Sequence, residues 1–192
     1  MTASASVGQR SAGPLRERYL AAPDFEAMLG AVRKNADLWA AVWRRAEVPA
    51  EYVRRVAALG GAWHLLVLSE DWCGDAVNTL PIVAKLAALA PNVDLRVLAR
   101  DENLDIMDSH LTGHSRSIPC VIALDEDFHE RGWWGPRPAE LQRWVLGDGQ
   151  ALEGKERYRE TRMWYARDRG RATLDELVAM LERGARAAAG DE

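Results

Sequence analysis

The segment Ser69–Ala76 restricts the possible folds of this chain more than any other part of the sequence. It follows the apolar run Leu65–Leu68, which predicts a buried strand, and a helical pattern of apolar residues begins directly after it. A thiol at such a junction lies at a helix N-terminus, where free backbone N–H groups and the helix dipole favour its ionised form. Position 76, where a two-cysteine motif would have its second thiol, is alanine. Cys73 is therefore a candidate nucleophile that lacks an adjacent partner thiol.

The apolar pattern along the middle of the chain predicts an α/β fold with helices on both faces of a sheet. Four short segments are either continuously apolar or alternate between apolar and polar residues. The helix after the first of them carries Pro81 in its interior, and the proline is expected to kink it. The predicted strands are residues 63–69, 93–99, 118–124 and 128–134.

Helical periodicity also predicts α-helices at both ends of the chain. Thr173 and Glu176 have the spacing of a capping box, which predicts that the last helix begins at Thr173. The first residues are rich in Ala, Ser and Gly and can bury little apolar surface. The predicted parts of the chain are a disordered tail (1–13), a helical N-terminal extension (14–48), a central domain (49–148) and a helical C-terminal extension (149–192).

Composition and charge limit the classes of function. The chain of 192 residues is 48% hydrophobic and 28% charged, which is typical of a globular protein. Its net charge of −4 gives no overall attraction to nucleic acid or to an anionic membrane, and no apolar segment has the length of a membrane span. Two cysteines are too few for a disulfide scaffold, and the N-terminus lacks the apolar core of a signal peptide. We therefore expect a cytoplasmic protein that binds neither nucleic acid nor membrane, and the sequence does not predict its oligomeric state.

Arginines and aromatic residues alternate in the C-terminal extension, a composition that also occurs in nucleic-acid-binding segments. Acidic residues share the segment, however, and the whole chain is acidic. We interpret it as a solvated, salt-bridged helix with an aromatic inner face. The residues concerned are Arg157, Arg159, Arg162, Arg167, Arg169 and Arg171, with Tyr158, Trp164 and Tyr165.

Four features, in this order, resemble the thioredoxin superfamily. Trp72-Cys73-Gly74 matches the start of that family's Trp-Cys-Gly-Pro-Cys motif, and Pro81 lies where thioredoxins kink their active-site helix. The segment 116–119, Arg-Ser-Ile-Pro, resembles the family's Arg-Gly-Ile-Pro, and Gly135 is similar to the glycine that precedes its final helix. The resemblance covers roughly residues 50–148. It implies a thioredoxin-like fold for the domain 49–148, with a central mixed sheet flanked by helices.

The resemblance also assigns roles to the residues of these motifs. Cys73 would be the catalytic thiol, and Pro119 is expected to be cis and to face it, as in the family. Ile118 would offer its backbone to an extended substrate, and Trp72 would either form an apolar wall beside the sulfur or pack as an ordinary aromatic side chain. The expected substrate-binding residues are Trp72, Gly74, Asp75, Ile118 and Pro119.

Three of the departures from the family pattern, at positions 76, 67 and 97, affect the second half of dithiol chemistry. Ala76 replaces the resolving cysteine, and Asp75 replaces the proline of the motif. Val67 stands where the family has a buried acid, and Val97 lies near the position of the accompanying lysine. The resemblance therefore implies a monothiol protein that exchanges disulfides with a low-molecular-weight thiol or a protein partner. The alternative is a thioredoxin-fold binding module without redox turnover.

The sequence leaves two properties of the thiols open. The carboxylates of Glu70, Asp71 and Asp75 oppose the effect of the helix terminus, so the sign of the pKa shift at Cys73 is not predicted. In the thioredoxin fold, Cys120 would lie close to the active-site helix, where it could pair with Cys73 as a resolving thiol. Its setting in an apolar strand favours a small buried side chain instead.

No metal or other cofactor is predicted. The four histidines have no metal-ligand spacing with each other or with the cysteines. The segment 73–76, Cys-Gly-Asp-Ala, is only loosely similar to the Cys-Gly-Phe-Ser motif of monothiol glutaredoxins, which hold iron–sulfur clusters between subunits. Cluster binding is kept as an alternative on that similarity alone.

Overall fold

The sheet of this protein has four strands and is mixed. The structure, a computed structural model, describes residues 12–190. The strands are β1 (Trp63–Ser69), β2 (Val93–Ala99), β3 (Cys120–Leu124) and β4 (Glu130–Trp134). Their order in the sheet is β2-β1-β3-β4, in which β1 is parallel to β2 and antiparallel to β3, and β4 is antiparallel to β3.

Helices flank the sheet and form both ends of the described chain, so the predicted fold class is confirmed. Residues 1–11 of the predicted tail lie outside the described residues, and Ala12 and Gly13 belong to the first helix. Within residues 12–190, no helix combines the length and the apolar character that a bilayer span requires. The helices are α1 (Ala12–Ala21), α2 (Phe25–Ala31), α3 (Ala36–Arg45), α4 (Ala50–Ala57), α5 (Gly74–Leu89), α6 (Leu104–Met107), α7 (Ala139–Leu146), α8 (Gly154–Asp168) and α9 (Arg171–Gly190).

The two central strands are covered on both faces. Every residue of β3 is buried, and so are the last five residues of β1. Since successive strand side chains point to opposite faces, both faces must be covered, which is why these segments are continuous apolar runs. Side chains from both helical extensions, such as Trp39 of α3 and Leu177 of α9, are fully buried in the same core. The extensions are therefore part of the packed structure.

The capping-box prediction for the last helix is wrong. α9 begins at Arg171, two residues before Thr173, because the carboxylate of Asp168 accepts a hydrogen bond from the backbone N–H of Ala172. Thr173 is buried inside the helix. Glu176 accepts hydrogen bonds from groups outside α9 instead of capping it. A cap provided by the preceding helix leaves no signal at the spacing that the prediction used.

Gly135 lies directly against the backbone of the segment that precedes β3. Its φ of +139° is strained for any residue with a side chain. A Cβ atom at this position would lie 2.1 Å from the carbonyl oxygen of Pro119. Neither backbone segment can move without disturbing the pairing of β3 with β4. Glycine is therefore required here by both conformation and space.

We expect Gly135→Ala to lower the free energy of unfolding by about 3 kcal/mol or more, because it adds both strain and a backbone clash. The control is Gly30→Ala in α2, where a Cβ would meet nothing within 4 Å. In a helix this change should stabilise the protein by up to about 1 kcal/mol. Urea denaturation of the two variants measures the difference. A Gly135→Ala variant as stable as the wild type would show that glycine is not required at position 135.

Candidate active site

Cys73 lies between β1 and α5, where the sequence predicts it. It is the N-cap of α5, and its sulfur accepts a hydrogen bond from the backbone N–H of Ala76 at 3.5 Å. The thiol donates a hydrogen bond to the carbonyl oxygen of Ile118, 3.3 Å from the sulfur. Only 7% of Cys73 is exposed. Only the protonated thiol can make this bond, because a thiolate has no hydrogen to donate to Ile118.

The structure brings together the two sequence motifs that the resemblance singles out. Ile118 is 45 positions from Cys73 in sequence, and the peptide bond from Ile118 to Pro119 is cis. Both residues of that bond are buried. Trp72, which precedes the thiol, is 50% exposed, and the guanidinium of Arg100 lies 5.7 Å from the centre of its ring. Trp72 is thus an accessible aromatic wall beside the site.

Two of the three carboxylates near Cys73 are used to position neighbouring loops. Asp71 accepts hydrogen bonds at 2.8 Å from the backbone N–H groups of Arg33 and Lys34, in the turn between α2 and α3. Glu70 accepts one at 2.9 Å from the backbone N–H of Asp101, after β2. These bonds attach the loop before Cys73 to the N-terminal helices and to the end of β2.

The third carboxylate, Asp75, is held by two partners from the C-terminal half of the chain. The guanidinium of Arg137 forms a salt bridge with one oxygen, and the hydroxyl of Tyr165 in α8 donates to the other at 2.8 Å. Arg137 also donates to the side-chain oxygen of Gln142. Burial raises the pKa of Tyr165, and the neighbouring charge of Asp75 raises it further. We call Asp75, Arg137 and Tyr165 the Asp75 cluster.

Burial is the largest influence on the Cys73 thiol and raises its pKa above the ordinary value. The hydrogen bond from Ala76 opposes this shift, and the charge of Asp75 adds to it. The positive charge of Arg137 acts in the opposite direction to Asp75. Burial therefore gives an upward direction to the pKa shift at Cys73, which the sequence leaves open. In the state described here, the helix terminus does not outweigh burial.

The second thiol, Cys120, lies inside the sheet. It is 1% exposed, pairs with Leu68 of β1 in the strand register, and is a free thiol like Cys73. Burial raises its pKa far above the ordinary range, and the charge of Glu130 raises it further. Such a group is poorly suited to attack a disulfide, because the attacking species is the thiolate.

The positions of the missing proton-transfer groups lie side by side in the sheet. Val67 of β1 pairs with Val97 of β2, and both side chains are buried. No ionisable side chain is therefore contributed by these two positions.

Among residues 12–190, no group of three or more His, Cys, Asp or Glu side chains is arranged to hold a metal ion.

A cleft of about 520 Å³ opens over Cys73, a volume within the usual range for small-ligand sites. One side is formed by the first turn of α5 together with Trp72, and another by the segment Arg116–Ile118. The third side is a face of α8. Its lining residues follow the spacing of a single helix face: Gly154, Arg157, Tyr158, Thr161 and Arg162.

A thioredoxin family model matches residues 22–159. The chain belongs to the thioredoxin-like superfamily. A protein of unknown function from Pseudomonas aeruginosa has the same fold, with a TM-score of 0.69, 24% identity, and coverage of 87% of this chain and 96% of that chain. A structure described as an HIV epitope-scaffold is similar, with a TM-score of 0.68, 22% identity and the same coverage. No curated protein matches the chain.

The α8 wall is the part of this thioredoxin-like site that the sequence prediction missed. The interpretation of α8 as a salt-bridged helix describes Arg159, which pairs with Glu156 and Glu160. It does not describe Arg157 and Arg162, which face the cleft. Assigning each residue of α8 to a helix face would have separated Arg157 and Arg162 from Arg159. Nothing in the sequence shows that this face lies against the N-terminus of α5.

The close approach of α8 also gives Gly74 a structural role. A Cβ atom at Gly74 would lie 3.0 Å from the ring of Tyr158. The glycine after Cys73 therefore allows the aromatic ring of α8 to lie directly against the first turn of α5. Tyr158 itself is 47% exposed and presents the rest of its ring to the cleft.

Removing parts of the Asp75 cluster should destabilise the thioredoxin-like fold in a graded way. Tyr165→Phe removes one hydrogen bond to a half-buried carboxylate, and we expect a loss of about 1–2 kcal/mol in the free energy of unfolding. Asp75→Asn leaves the guanidinium of Arg137 largely buried without a counter-charge, and we expect a loss of about 2–3 kcal/mol. Urea denaturation of both variants measures the two losses.

The control for the tyrosine change is Tyr158→Phe. Among the described residues, the Tyr158 hydroxyl has no hydrogen-bond partner, and its ring is half exposed. This variant should stay within about 0.5 kcal/mol of the wild type. Equal losses in the two Tyr→Phe variants would show that the bond from Tyr165 to Asp75 contributes nothing to stability.

Proposed function

We propose that the protein is a monothiol thiol–disulfide exchange protein in which Cys73 forms a transient mixed disulfide with its substrate. The observation that carries the proposal is the position of the sulfur. It caps α5, contacts the carbonyl of Ile118 beside Pro119, and lies at the floor of a cleft that can admit a ligand. The thioredoxin-like fold supports this chemistry but does not fix it. We propose the cytoplasm as the location, since reducing conditions would keep both thiols free.

The proposed exchange consists of two displacement steps. The Cys73 thiolate attacks one sulfur of a disulfide R–S–S–R′; a bond from Cys73 to that sulfur forms, and R′–S⁻ leaves with the electron pair of the broken bond and takes up a proton. The thiolate of an external low-molecular-weight thiol, R″–S⁻, then attacks the sulfur of R. The products are R–S–S–R″ and the regenerated Cys73 thiolate. The net reaction is exchange between an external thiol and a disulfide, with no other oxidant or reductant.

The external thiol is needed because the chain offers no suitable second thiol. Cys120 is almost fully buried, and its pKa is raised far above the ordinary range. Its attack on a mixed disulfide at Cys73 would require both exposure and ionisation. The proposal therefore leaves Cys120 as a core residue.

The pH dependence of Cys73 reactivity tests the proposal. Because burial raises its pKa, the thiolate fraction grows only as the pH rises through a value above the ordinary thiol pKa. The rate of alkylation by iodoacetamide should have its midpoint there. The rate at which a low-molecular-weight thiol and the protein together reduce a mixed disulfide should rise over the same range.

The two cysteines serve as controls for each other. Cys73→Ser should abolish both exchange and the mixed disulfide seen by mass spectrometry, whereas Cys120→Ala should retain both. Mass spectrometry of the unreduced wild type after mild oxidation should find two free thiols. A bridge between Cys73 and Cys120, or loss of exchange in a folded Cys120→Ala variant, would replace the monothiol route with an internal dithiol route.

A binding module without turnover is the second candidate. The burial of Cys73 and its raised pKa favour it, because both reduce the amount of thiolate at neutral pH. This function predicts that Cys73 is alkylated at high pH while no disulfide is turned over. It also predicts that Cys73→Ser leaves ligand binding unchanged.

A further inference from the structure

The cleft over Cys73 is strongly basic although the chain as a whole is acidic. The net charge of the chain is −4, yet the lining of the cleft contains five arginines and one carboxylate, Asp75. Arginines grouped around a concave surface create a positive potential that attracts anions. The arginines are Arg100, Arg116, Arg137, Arg157 and Arg162.

Three of these arginines already have a carboxylate partner. Arg137 is paired with Asp75, Arg116 forms a two-pronged salt bridge with Asp108, and Arg100 is paired with Asp101. Their charges are largely compensated by these partners. They shape the cleft more than they attract a ligand.

The two cleft arginines that belong to α8, Arg157 and Arg162, lack such partners in the part of the chain that the structure describes. Among the described residues, neither Arg157 nor Arg162 has a carboxylate partner within salt-bridge distance. Arg157 is half-buried in the wall, and the guanidinium of Arg162 lies 5.9 Å from the centre of the Tyr158 ring. Arg159, on another face of the same helix, takes both of the nearby glutamates. The cleft face of α8 therefore presents two uncompensated guanidinium groups.

We propose that this cleft binds a small thiol or disulfide that carries carboxylate or phosphate groups, with Arg157 and Arg162 as its anion contacts. Guanidinium groups bind these two oxyanions through paired hydrogen bonds. The exposed rings of Trp72 and Tyr158 offer apolar contact to the rest of the ligand. The volume of the cleft suits a molecule of this size. Anion binding stands by itself, and only the placing of the ligand sulfur for attack by Cys73 rests on the proposed exchange function.

Alkylation with two reagents that differ in charge tests the anion site without requiring turnover. Iodoacetate and iodoacetamide react with the same sulfur and lose the same iodide, but only iodoacetate carries a carboxylate. The ratio of the two rates at Cys73, at one pH and low salt, should be higher for the protein than for a free small thiol. It should fall with added salt, because exposed charges are screened.

Matched arginine variants locate the effect. Arg157→Gln and Arg162→Gln should each lower the ratio by about two- to five-fold, the range for one partly exposed charge contact. Arg167→Gln removes the same charge from an exposed position of the same helix outside the cleft, breaks no ion pair among the described residues, and should leave the ratio unchanged. Circular dichroism and thermal unfolding check that the variants are folded. An unchanged ratio in folded Arg157→Gln and Arg162→Gln variants would overturn the proposal.

Two unreactive ligands distinguish the possible anions. S-methylated glutathione offers carboxylates, and S-methylated coenzyme A offers phosphates, but neither can exchange with Cys73. Protection of Cys73 from iodoacetamide by either one, weakened in Arg157→Gln, would support the site and name its anion. Protection by neither at millimolar concentration would overturn it.

The exchange assay separates this proposal from the proposed function. Protection without any disulfide turnover would remove the exchange function and keep the anion site. Equal turnover of an anionic disulfide, glutathione disulfide, and a cationic one, cystamine, together with no protection by either unreactive ligand, would keep the exchange function and remove the anion site.

Discussion

The half-buried carboxylate of Asp75 makes the contacts on which the arrangement of the site depends. It lies in the first turn of α5, and its partners come from the loop before α7 and from α8. A carboxylate removed from water is tolerated only when its oxygens are paired, and here each oxygen has its own partner. Because both partners, Arg137 and Tyr165, come from the C-terminal part of the chain, the same contact that satisfies Asp75 fixes α8 over Cys73.

This pairing also changes what the acidic residues around Cys73 do. Their spacing suggests an anionic setting, but Glu70 and Asp71 accept backbone N–H groups of adjoining loops. Burial is the largest influence on the pKa of the Cys73 thiol, and the protonated thiol donates a hydrogen bond to the carbonyl of Ile118. A ligand that donates a hydrogen bond to that carbonyl would compete with the thiol for it. Ionisation of Cys73 would then depend on occupancy of the cleft rather than on the helix terminus alone.

Local pattern predicts most of the fold, because the strands are covered on both faces and appear as apolar runs. The placing of Cys73 and Ile118 in one site comes from the resemblance to the thioredoxin superfamily, because no local pattern joins positions 45 residues apart. The partners of Asp75 could not be found in this way, because 62 and 90 positions separate it from Arg137 and Tyr165. The error at Thr173 has a different origin: Asp168 is only four residues from Ala172, but it is the last residue of the preceding helix and lies outside the spacing of a capping box. What the sequence hides is the pairing of polar groups over long distances.

Part of the cleft lies inside the region matched by the family model and part lies outside it, which bears on ligand specificity. The family match ends at residue 159, inside α8, so Tyr158 lies within it while Arg162 and Tyr165 lie beyond it. The thiol and its Ile118 contact therefore belong to the matched region, and part of the wall that faces them does not. Substitution of the charged residues on the cleft face of α8 would not disturb the core, because Tyr165, which donates to Asp75, is the buried residue of this helix. Under the proposed function, selection between ligands would depend on α8, while the reacting thiol belongs to the N-terminus of α5.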